Sequence, residues 1–427
     1  MWQFLYSALI FPIVWLLLRA LALFHPKARK GLEGRRRIFS DLARFLEDKP
    51  CTLRIWIHVS SMGEFEQAKP IIEALKTTLP DLCVIVTFFS PSGYDNSRRY
   101  PSADFVSYIP MDTKGKARRF LTLLNPDVAL FIRYDVWPNH VWACEERGVP
   151  VLLANGTMRD TSARLWPLLR SFHRRLFGAF DTILTISERD AANFARFGID
   201  ASRIEPAGDT RFDRVTGKAA VAREKRLLPA RIVEGRRILV AGSSWQEDED
   251  ALLPAVFTLL KYDPSFLCVI VPHEPTIEHL EMLEYRLRGR ADSIRFSYLQ
   301  NWAGERVLLV DSIGILLPLY ASADVAFVGG GFKSNVHNTL EPAVYGIPVV
   351  YGPKIHNSQE ARELQEAGGS FIVQNRREAY RVLRRLFSDE EFRAVSGEQA
   401  GAFVRARSGA TQRIVDRLIP YLDAPQR

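Results

Sequence analysis

Short apolar runs alternate with longer amphipathic segments along most of the chain, and this alternation limits the possible folds more than any other feature. In the first half, strand-like runs lie at 53–59, 82–89, 105–109, 128–132, 151–154 and 182–186, with helical patterns at 66–77, 114–124, 141–147 and 188–197. Strands that are separated by helices pair in parallel and are buried on both faces. The order therefore predicts a parallel sheet with helices on both sides.

The second half repeats this rhythm. The range 237–244 reads as a strand followed by a turn of small residues, further strand-like runs lie at 266–271, 307–310, 324–328 and 349–351, and helical patterns lie at 245–260, 316–321, 339–345 and 378–422. A chain of 427 residues is long enough for two domains. We therefore predict an α/β protein with two Rossmann-like domains, 25–210 and 211–427, that face each other across a cleft. The last helix is expected to pack back on the N-terminal domain.

The first 24 residues have the character of a membrane anchor. Met1 to Leu18 carries no charge, and Arg19 is long enough to reach the interface, so the apolar stretch extends to Phe24. Six basic residues follow at 27–37, which predicts that the next domain lies at the cytoplasmic face of the inner membrane, with membrane lipids as partners. A signal peptide is disfavoured because no basic segment precedes the apolar one. A spanning helix and a helix embedded in the interface both remain open.

Charge and cysteine content exclude several classes of protein. Of the net charge of +8, residues 1–37 hold +6, so the excess is a local patch and does not indicate a partner nucleic acid. The four cysteines, at 51, 83, 144 and 268, have no spacing that suggests zinc or a disulfide framework. Unpaired cysteines in a reducing compartment are the expectation.

The loops that follow the first-half strands hold polar residues at one predicted sheet edge. Directly after the first strand comes HVSSMGE (58–64), in which Gly63 permits a tight turn and Glu64 opens the next helix. A carboxylate there suits a general base, although acids at helix starts more often interact with the helix dipole. Ser92 and Gly93 follow the second strand, and Asp135 follows the fourth.

A glycine-rich turn at 329–331 follows a strand in the second half and leads into a helix. Backbone N–H groups at Gly330 and Gly331 can approach an anion closely, and a helix start favours negative charge. Glu341, one turn further on, suits hydrogen bonding to ribose hydroxyls. The alternative is a turn whose glycines serve only packing.

Seven motifs occur in an order that resembles the bacterial 3-deoxy-D-manno-oct-2-ulosonic acid (Kdo) transferases, the lipid IVA Kdo transferases of the GT-B fold. They are HVSSMGE (58–64), WPN (137–139), AGSS (241–244), PHEP (272–275), DSIG (311–314), GGGF…HNTLEP (329–342) and GIPVVYGP (346–353). The resemblance implies an enzyme of lipopolysaccharide biosynthesis that uses CMP-Kdo as donor and lipid IVA, a lipid A precursor, as acceptor. It implies Glu64 as the catalytic base, with no metal and no cofactor.

The resemblance also implies binding residues on both domains. Helix starts at Ser243-Ser244 and Gly330-Gly331 would stabilise the departing CMP, Asn338 and Glu341 would hold its ribose or phosphate, and the backbone at 313–314 would contact cytosine. The donor set comprises Ser243, Ser244, Pro272, His273, Glu274, Ile313, Gly314, Ile315, Gly330, Gly331, Lys333, His337, Asn338, Thr339, Leu340 and Glu341. The acceptor set comprises Ser61, Gly63, Ser92, Gly93 and Asp135.

Some positions depart from the family pattern. His273-Glu274 replaces the usual Arg-His, so the arginine near the nucleotide is missing, and Lys333 or Arg211 is the expected substitute. Ile315 and Arg133 each stand where the family has Glu. The number of sugars added therefore stays open. Alternatives are another membrane-associated GT-B glycosyltransferase with a different lipid acceptor, a nucleotide-sugar epimerase, or a non-enzymatic protein on a transferase scaffold.

Overall fold

The structure is a computed structural model that describes residues 1–133 and 135–423. The chain divides into two compact units. Unit 1 is Met1–Arg214 together with the segment that starts at Ser408, and unit 2 is Val215–Arg407. Each unit contains one seven-stranded sheet in which all the pairings are parallel, with helices between the strands. The predicted fold class, two Rossmann-like α/β domains, is confirmed.

The sheet of unit 1 has the strand order β3-β2-β1-β4-β5-β6-β7. Its strands are β1 Arg54–Val59, β2 Cys83–Phe88, β3 Phe105–Tyr108, β4 Val128–Ile132, β5 Val151–Gly156, β6 Thr182–Thr185 and β7 Ile204–Pro206. Strands β2, β4 and β5 are buried along their whole length, as expected for strands covered on both faces.

The helices of unit 1 begin with an apolar segment that is helical from residue 2 to residue 24. They are α1 Trp2–Leu5, a π-helical turn Tyr6–Ile10, α2 Phe11–Phe24, α3 Pro26–Gly34, α4 Ile38–Asp48, α5 Met62–Thr78, α6 Pro91–Ser97, α7 Lys114–Leu124, α8 Pro138–Arg147, α9 Pro167–Phe177, α10 Glu188–Ala195 and α11 Thr210–Arg223, which continues past the unit boundary. Within the described residues, Trp2–Phe24 is the one helix long and apolar enough to cross a membrane.

The sheet of unit 2 has the order β10-β11-β9-β8-β12-β13-β14. Its strands are β8 Arg237–Ser244, β9 Phe266–Pro272, β10 Ser293–Arg295, β11 Val307–Leu309, β12 Val325–Val328, β13 Val349–Tyr351 and β14 Ser370–Ile372. Its helices are α12 Ala230–Val233, α13 Gln246–Tyr262, α14 Ile277–Leu287, α15 Leu316–Tyr320, α16 Leu340–Ala343, α17 Gln359–Glu366, α18 Arg376–Ser388 and α19 Glu390–Arg407.

The last helix, α20 (Ala410–Leu422), belongs to unit 1. Its buried side chains Ile414, Val415 and Leu418 join the core formed by β1, β2 and α5. Asp213 accepts hydrogen bonds from the backbone N–H groups of Gly409 and Thr411, at 2.5 and 2.6 Å, and so caps the start of the helix.

Two expectations about local structure are wrong. Cys51 and Cys83 form a disulfide, because Cys83 begins β2 opposite Arg54 of β1 and the Cα atoms of the two cysteines are 5.9 Å apart. Gly63 lies inside the first turn of α5 with a negative φ, so it makes no tight turn.

Candidate functional site

Each sheet has a topological switch point, where successive strands are added on opposite sides of the first one. In unit 1 the switch lies between β1 and β4, and in unit 2 it lies between β8 and β12. Ligands of doubly wound sheets bind outside the carboxyl ends of the strands at such points. The chain at these points includes Glu64 and Asp135 in unit 1, and Ser243 and Gly329–Gly331 in unit 2. Four of the motifs, HVSSMGE, WPN, AGSS and GGGF…HNTLEP, therefore lie at or shortly after the ends of the strands that flank the two switch points.

Glu64 sits in the first turn of α5 with only 7 % of its surface exposed. One of its carboxylate oxygens, Oε2, accepts a hydrogen bond from the Ser60 N–H at 2.5 Å, and its own N–H donates to Ser61 Oγ at 3.4 Å. Burial raises the pKa of the carboxyl to about 7, against the opposing effect of the Ser60 hydrogen bond. The group is therefore divided between its two protonation states at neutral pH.

Two charged residues after β4 act on Glu64. The charge of Asp135 raises the pKa of Glu64, and the charge of Arg133 lowers it. Burial also raises the pKa of Asp135, to about 6. Arg133 has a φ of +66°, a left-handed conformation that is uncommon for residues other than glycine and is concentrated at functional sites. Tyr134, which stands between Arg133 and Asp135 in the sequence, lies outside the described residues.

The predicted acceptor residues differ in their surroundings. Ser61 caps α5, and Ser92 is exposed in α6, where its hydroxyl lies 2.8 Å from that of Ser90. Gly93 is buried, and a Cβ atom there would lie 2.7 Å from Phe88 Cδ1. The absence of a side chain at Gly93 thus allows α6 to pack closely on β2, which gives this glycine a packing role.

Sequence reasoning missed an aromatic and cationic cluster at the same edge. Trp137 stacks on Phe89, with ring centroids 4.7 Å apart, and the Arg35 guanidinium lies 4.8 Å from the Phe89 ring centroid. Arg35 also donates to the carbonyl oxygens of Phe89 and Ile109 at 2.9 Å. The sequence held two signals for this cluster, the WPN motif at 137–139 and the basic run at 27–37, but it gave no sign that Trp137 and Arg35 lie on the same ring.

Three rings stack beside the switch point of unit 2. The His273 and His337 centroids are 4.3 Å apart, and Trp245 lies 4.6 Å from His273. The Trp245 indole N–H donates to His337 Nε2 at 2.9 Å, so that nitrogen carries no proton. Burial, and then the charges of His273 and Lys333, lower the pKa of His337 to about 4. A neutral His337 therefore presents its N–H at Nδ1.

Lys333 supplies a positive charge at this stack. Its Nζ lies 3.1 Å from the centroid of the Trp245 indole, a cation–π contact, and the residue is exposed. Trp245 was absent from the predicted site, although it follows the AGSS motif directly in the sequence.

The predicted anion site at Gly330-Gly331 is not supported for the Gly330 amide. That N–H donates to Asp248 Oδ2 at 2.7 Å, and the Phe332 N–H donates to Asp248 Oδ1 at 3.0 Å. A Cβ atom on Gly331 would lie 2.6 Å from the Gly352 nitrogen, so close packing requires the glycine. The turn is organised by a buried carboxylate, which sequence reasoning missed.

The prediction that a helix starts at Ser243-Ser244 is wrong, because these two residues end β8. Ser243 has a φ of +53°, and the buried hydroxyl of Ser244 donates to Glu249 at 2.8 Å. Helix α13 starts at Gln246 with three acids in its first turn, which disfavours an anion there.

The HNTLE segment forms a local hydrogen-bonded turn before the four-residue helix α16, which is shorter than predicted. Asn338 Oδ1 accepts from the Leu340 N–H at 3.1 Å, and Asn338 Nδ2 donates to Glu341 Oε1 at 3.0 Å. Burial raises the pKa of Glu341, and Thr339 is fully buried. Asn338 itself is exposed and remains accessible to a ligand.

The remaining predicted donor residues lie at the carboxyl ends of β9 and β11. Pro272 ends β9, and Glu274 follows it in an exposed turn. Ile313 is 87 % exposed after β11, Gly314 has a φ of +82°, and Ile315 precedes α15. An apolar side chain as exposed as Ile313 is available for contact with a flat ring.

A protein-family model matches the part of the chain that contains Glu64. Residues 30–214 match the model described as 3-deoxy-D-manno-octulosonic-acid transferase (kdotransferase). This region, which is less than half of the chain, carries a domain of the Kdo transferase family. The protein is therefore an enzyme, a glycosyltransferase. The resemblance drawn from the motifs is confirmed.

Curated members of the family are similar over most of the chain. The 3-deoxy-D-manno-octulosonic acid transferase of Haemophilus influenzae is 26 % identical over 436 residues, with 99 % of both chains covered. Those of Aquifex aeolicus and Bordetella pertussis are each 28 % identical, covering 82 % and 87 % of this chain and 91 % and 88 % of their own.

Solved structures of other enzymes share the fold. UDP-GlcNAc 2-epimerase from Neisseria meningitidis, bound to UDP-GlcNAc, has a TM-score of 0.61 at 15 % identity, covering 86 % of this chain and 100 % of its own. S. aureus MnaA, in a co-structure with UDP, has a TM-score of 0.58, also at 15 % identity, covering 87 % and 97 %. At this identity the likeness shows the fold alone.

Proposed function

We propose that this protein transfers Kdo from CMP-Kdo to lipid IVA at the cytoplasmic face of the inner membrane, with Glu64 as the general base. The match to the Kdo transferase family supports a sugar-nucleotide donor and a lipid acceptor. The observation that carries the proposal is the buried carboxyl of Glu64, with a pKa of about 7, at the switch point of the unit 1 sheet.

The reaction needs a base with this property. The acceptor hydroxyl attacks the anomeric carbon of Kdo, the bond from that carbon to the CMP phosphate oxygen breaks, and the hydroxyl proton passes to Glu64. A base works best when its pKa lies near the working pH, because it is then both ionised and basic enough to take the proton. An ordinary exposed glutamate, with a pKa near 4.5, would be a much weaker base.

The donor is assigned to the ring stack and the exposed turns of unit 2. Lys333 supplies the positive charge that the missing family arginine would supply, and it faces the phosphate or carboxylate of CMP-Kdo. His337 Nδ1–H is a neutral donor for the departing phosphate, since Trp245 holds the opposite nitrogen unprotonated. Asn338 binds the ribose or phosphate, and the chain at Ile313-Gly314 contacts cytosine.

Replacing Glu64 by Gln tests the base. We expect kcat to fall by about 10²–10⁴-fold, because the amide cannot take the proton, while the affinity for CMP measured by calorimetry stays unchanged. Glu66→Gln, two residues further along α5, is the matched control, and circular dichroism checks folding. A Glu64→Gln enzyme that transfers at a near wild-type rate would show that another group is the base.

Mass analysis of the products from lipid IVA and CMP-Kdo tests the substrates. A mass increase of one or more Kdo units supports the proposal and gives the number of sugars transferred. The alternative is another membrane-associated GT-B glycosyltransferase with a different lipid acceptor, and the replacement of the family's Arg-His by His273-Glu274 is the observation that favours it. Transfer from CMP-Kdo to other lipids but not to lipid IVA would establish that alternative.

A further inference from the structure

The N-terminal helix contacts unit 1 along one narrow face. Tyr6 and Phe11 are buried in the core of unit 1, with exposures of 9 % and 2 %, and Trp15 and Leu18 pack against the same core. These four residues recur at intervals of three to five, which places them on one side of a helix. The contact therefore extends from the second turn to beyond the middle of the helix.

Buried hydrogen bonds hold the start of this helix. Tyr6 Oη donates to Asp112 Oδ2 at 2.8 Å, and Ser7 Oγ donates to Asn139 Oδ1 at 2.7 Å. Asp112 is 1 % exposed and also accepts from the backbone N–H groups of Asn139 and His140, each at 3.1 Å. Separating the helix from unit 1 would leave a buried carboxylate without one of its donors, which is costly.

The length of this contact limits the topology. The stretch from Tyr6 to Leu18 covers about 18 Å at 1.5 Å per residue, whereas the hydrocarbon core of a bilayer is about 30 Å thick. With those residues held on unit 1, neither the few residues before Tyr6 nor the six from Arg19 to Phe24 are enough to cross. A helix held in this way lies along the membrane.

The other side of the helix is apolar and exposed. Phe4, Leu16 and Leu17 expose 78 %, 59 % and 65 % of their surfaces. Of the 21 large apolar side chains that are exposed among the described residues, 11 lie at 1–24 and three more at 166–169. Such side chains are thus concentrated in two segments of unit 1. A concentration of exposed apolar side chains indicates a surface that a membrane or another protein covers.

The two segments adjoin. Phe172 of α9 contacts both Trp2 and Tyr6, with ring centroids 5.8 Å apart in each case. Helix α9 and the residue before it expose Trp166, Leu168 and Leu169, at 64 %, 74 % and 40 %. Beside these apolar groups lie Arg170 and Arg174, both exposed, and the basic run at 27–37 follows the N-terminal helix. Apolar side chains bordered by cations match an anionic lipid surface.

We propose that Trp2–Phe24 and residues 163–177 together form one membrane face, which binds the surface of an anionic lipid bilayer and enters a single leaflet. The apolar side chains reach the acyl region, and the arginines and lysines pair with lipid phosphates. The N-terminal helix does not span the membrane. The helix contacts Asn139, in the WPN motif, through Ser7, and this contact places the lipid surface next to the loops that are proposed to bind the acceptor. The placement does not depend on which sugar is transferred.

Accessibility of the N-terminus tests the topology. The full-length Gln3→Cys protein carries the fluorophore NBD and is added to preformed vesicles of phosphatidylethanolamine and phosphatidylglycerol, and dithionite, which does not cross the bilayer, is then added. We expect residue 3 to be quenched as completely as a label at Lys116→Cys on the surface helix α7. Protection of residue 3 until detergent is added would show a spanning helix and overturn the proposal.

Two further variants test the α9 part. Leu168→Ser/Leu169→Ser should lower vesicle affinity at least about tenfold, since two apolar side chains leave the acyl region. A spanning helix would hold the protein regardless, so unchanged binding contradicts the proposal. Arg170→Glu/Arg174→Glu should weaken binding to these vesicles but not to phosphatidylcholine alone, with Lys116→Glu as the control. Equal loss on both lipids would refute the role of anionic headgroups.

Discussion

The protonation of Glu64 is set by the residues around it, and the proposal that Glu64 is the base therefore predicts the pH dependence of the enzyme. Burial raises the pKa of the carboxyl to about 7, and a base acts only when it is deprotonated. We expect kcat/KM to rise tenfold per pH unit below that value and to reach a plateau above it. This acid limb should be absent from the residual activity of Glu64→Gln. A limb that persists there would belong to another group.

Asp135 and Arg133 should shift this limb in opposite directions. The charge of Asp135 raises the pKa of Glu64, so Asp135→Asn should move the limb to lower pH. The charge of Arg133 lowers the same pKa, so Arg133→Gln should move the limb to higher pH. The pH profile of kcat/KM measures both shifts. The variants control for each other, because general damage to the site would lower the rate without shifts of opposite sign.

At the scale of elements, Asp248 connects α13 to the glycine turn and gives a separate prediction. The carboxylate accepts the N–H groups of Gly330 and Trp245 at Oδ2 and that of Phe332 at Oδ1, whereas an amide in its place has only one oxygen that can accept. Asp248→Asn should therefore lower the free energy of unfolding by about 1.5–3 kcal/mol, the value of a hydrogen bond to a charged group. Hydrogen exchange at the amides of Gly330 and Phe332 should become faster.

The control for this prediction is Asp250→Asn on the same helix. Asp250 is exposed and pairs with Arg286 on the surface, so its replacement should change stability by less than about 1 kcal/mol. If both variants had the same stability and exchange as wild type, the turn would not depend on Asp248.

The elements also show what the sequence reveals and what it does not. The long buried strands and their order were predictable, because a continuous apolar run such as β2 is stable only where both of its faces are covered, in the interior of a sheet. The three-residue edge strands β7, β10 and β14 were missed, since a short half-exposed edge needs no continuous apolar run. Their pairing depends on a neighbouring strand already in place.

The sequence alone points to Glu64 and His337, and the structure places each beside the switch point of its own sheet, while their roles stay predictions. The candidate site was not predictable where a side chain acts through contacts distant in sequence. Asp248 binds amides more than 80 residues away, and the Tyr6 hydroxyl reaches Asp112 across 106 residues. Of the two roles that the sequence left open for the glycines at 329–331, anion binding and packing, the close backbone contacts of all three and the bond from Gly330 to Asp248 support packing.

At the scale of the whole molecule, the C-terminal helix packs into the core of unit 1, although most of the chain lies between that helix and the strands of the core in the sequence. Leu418 is fully buried with the β1, β2 and α5 side chains of unit 1, whereas Leu386 is fully buried in the core of unit 2. Each core should therefore respond to the loss of its own leucine. Leu418→Ala removes a buried side chain from unit 1, which should cost about 2–5 kcal/mol.

Hydrogen exchange can locate that loss. In Leu418→Ala, amides of β1 and α5 should lose protection while those of β8 and β9 keep it, and Leu386→Ala should give the reverse pattern. The two variants change buried volume equally, so the difference between them reports which core each leucine supports and not the size of the defect. If Leu418→Ala destabilised the strands of unit 2 as much as those of unit 1, the two cores would unfold as one, and the last helix would stabilise the entire chain instead of the unit in which its side chains are buried.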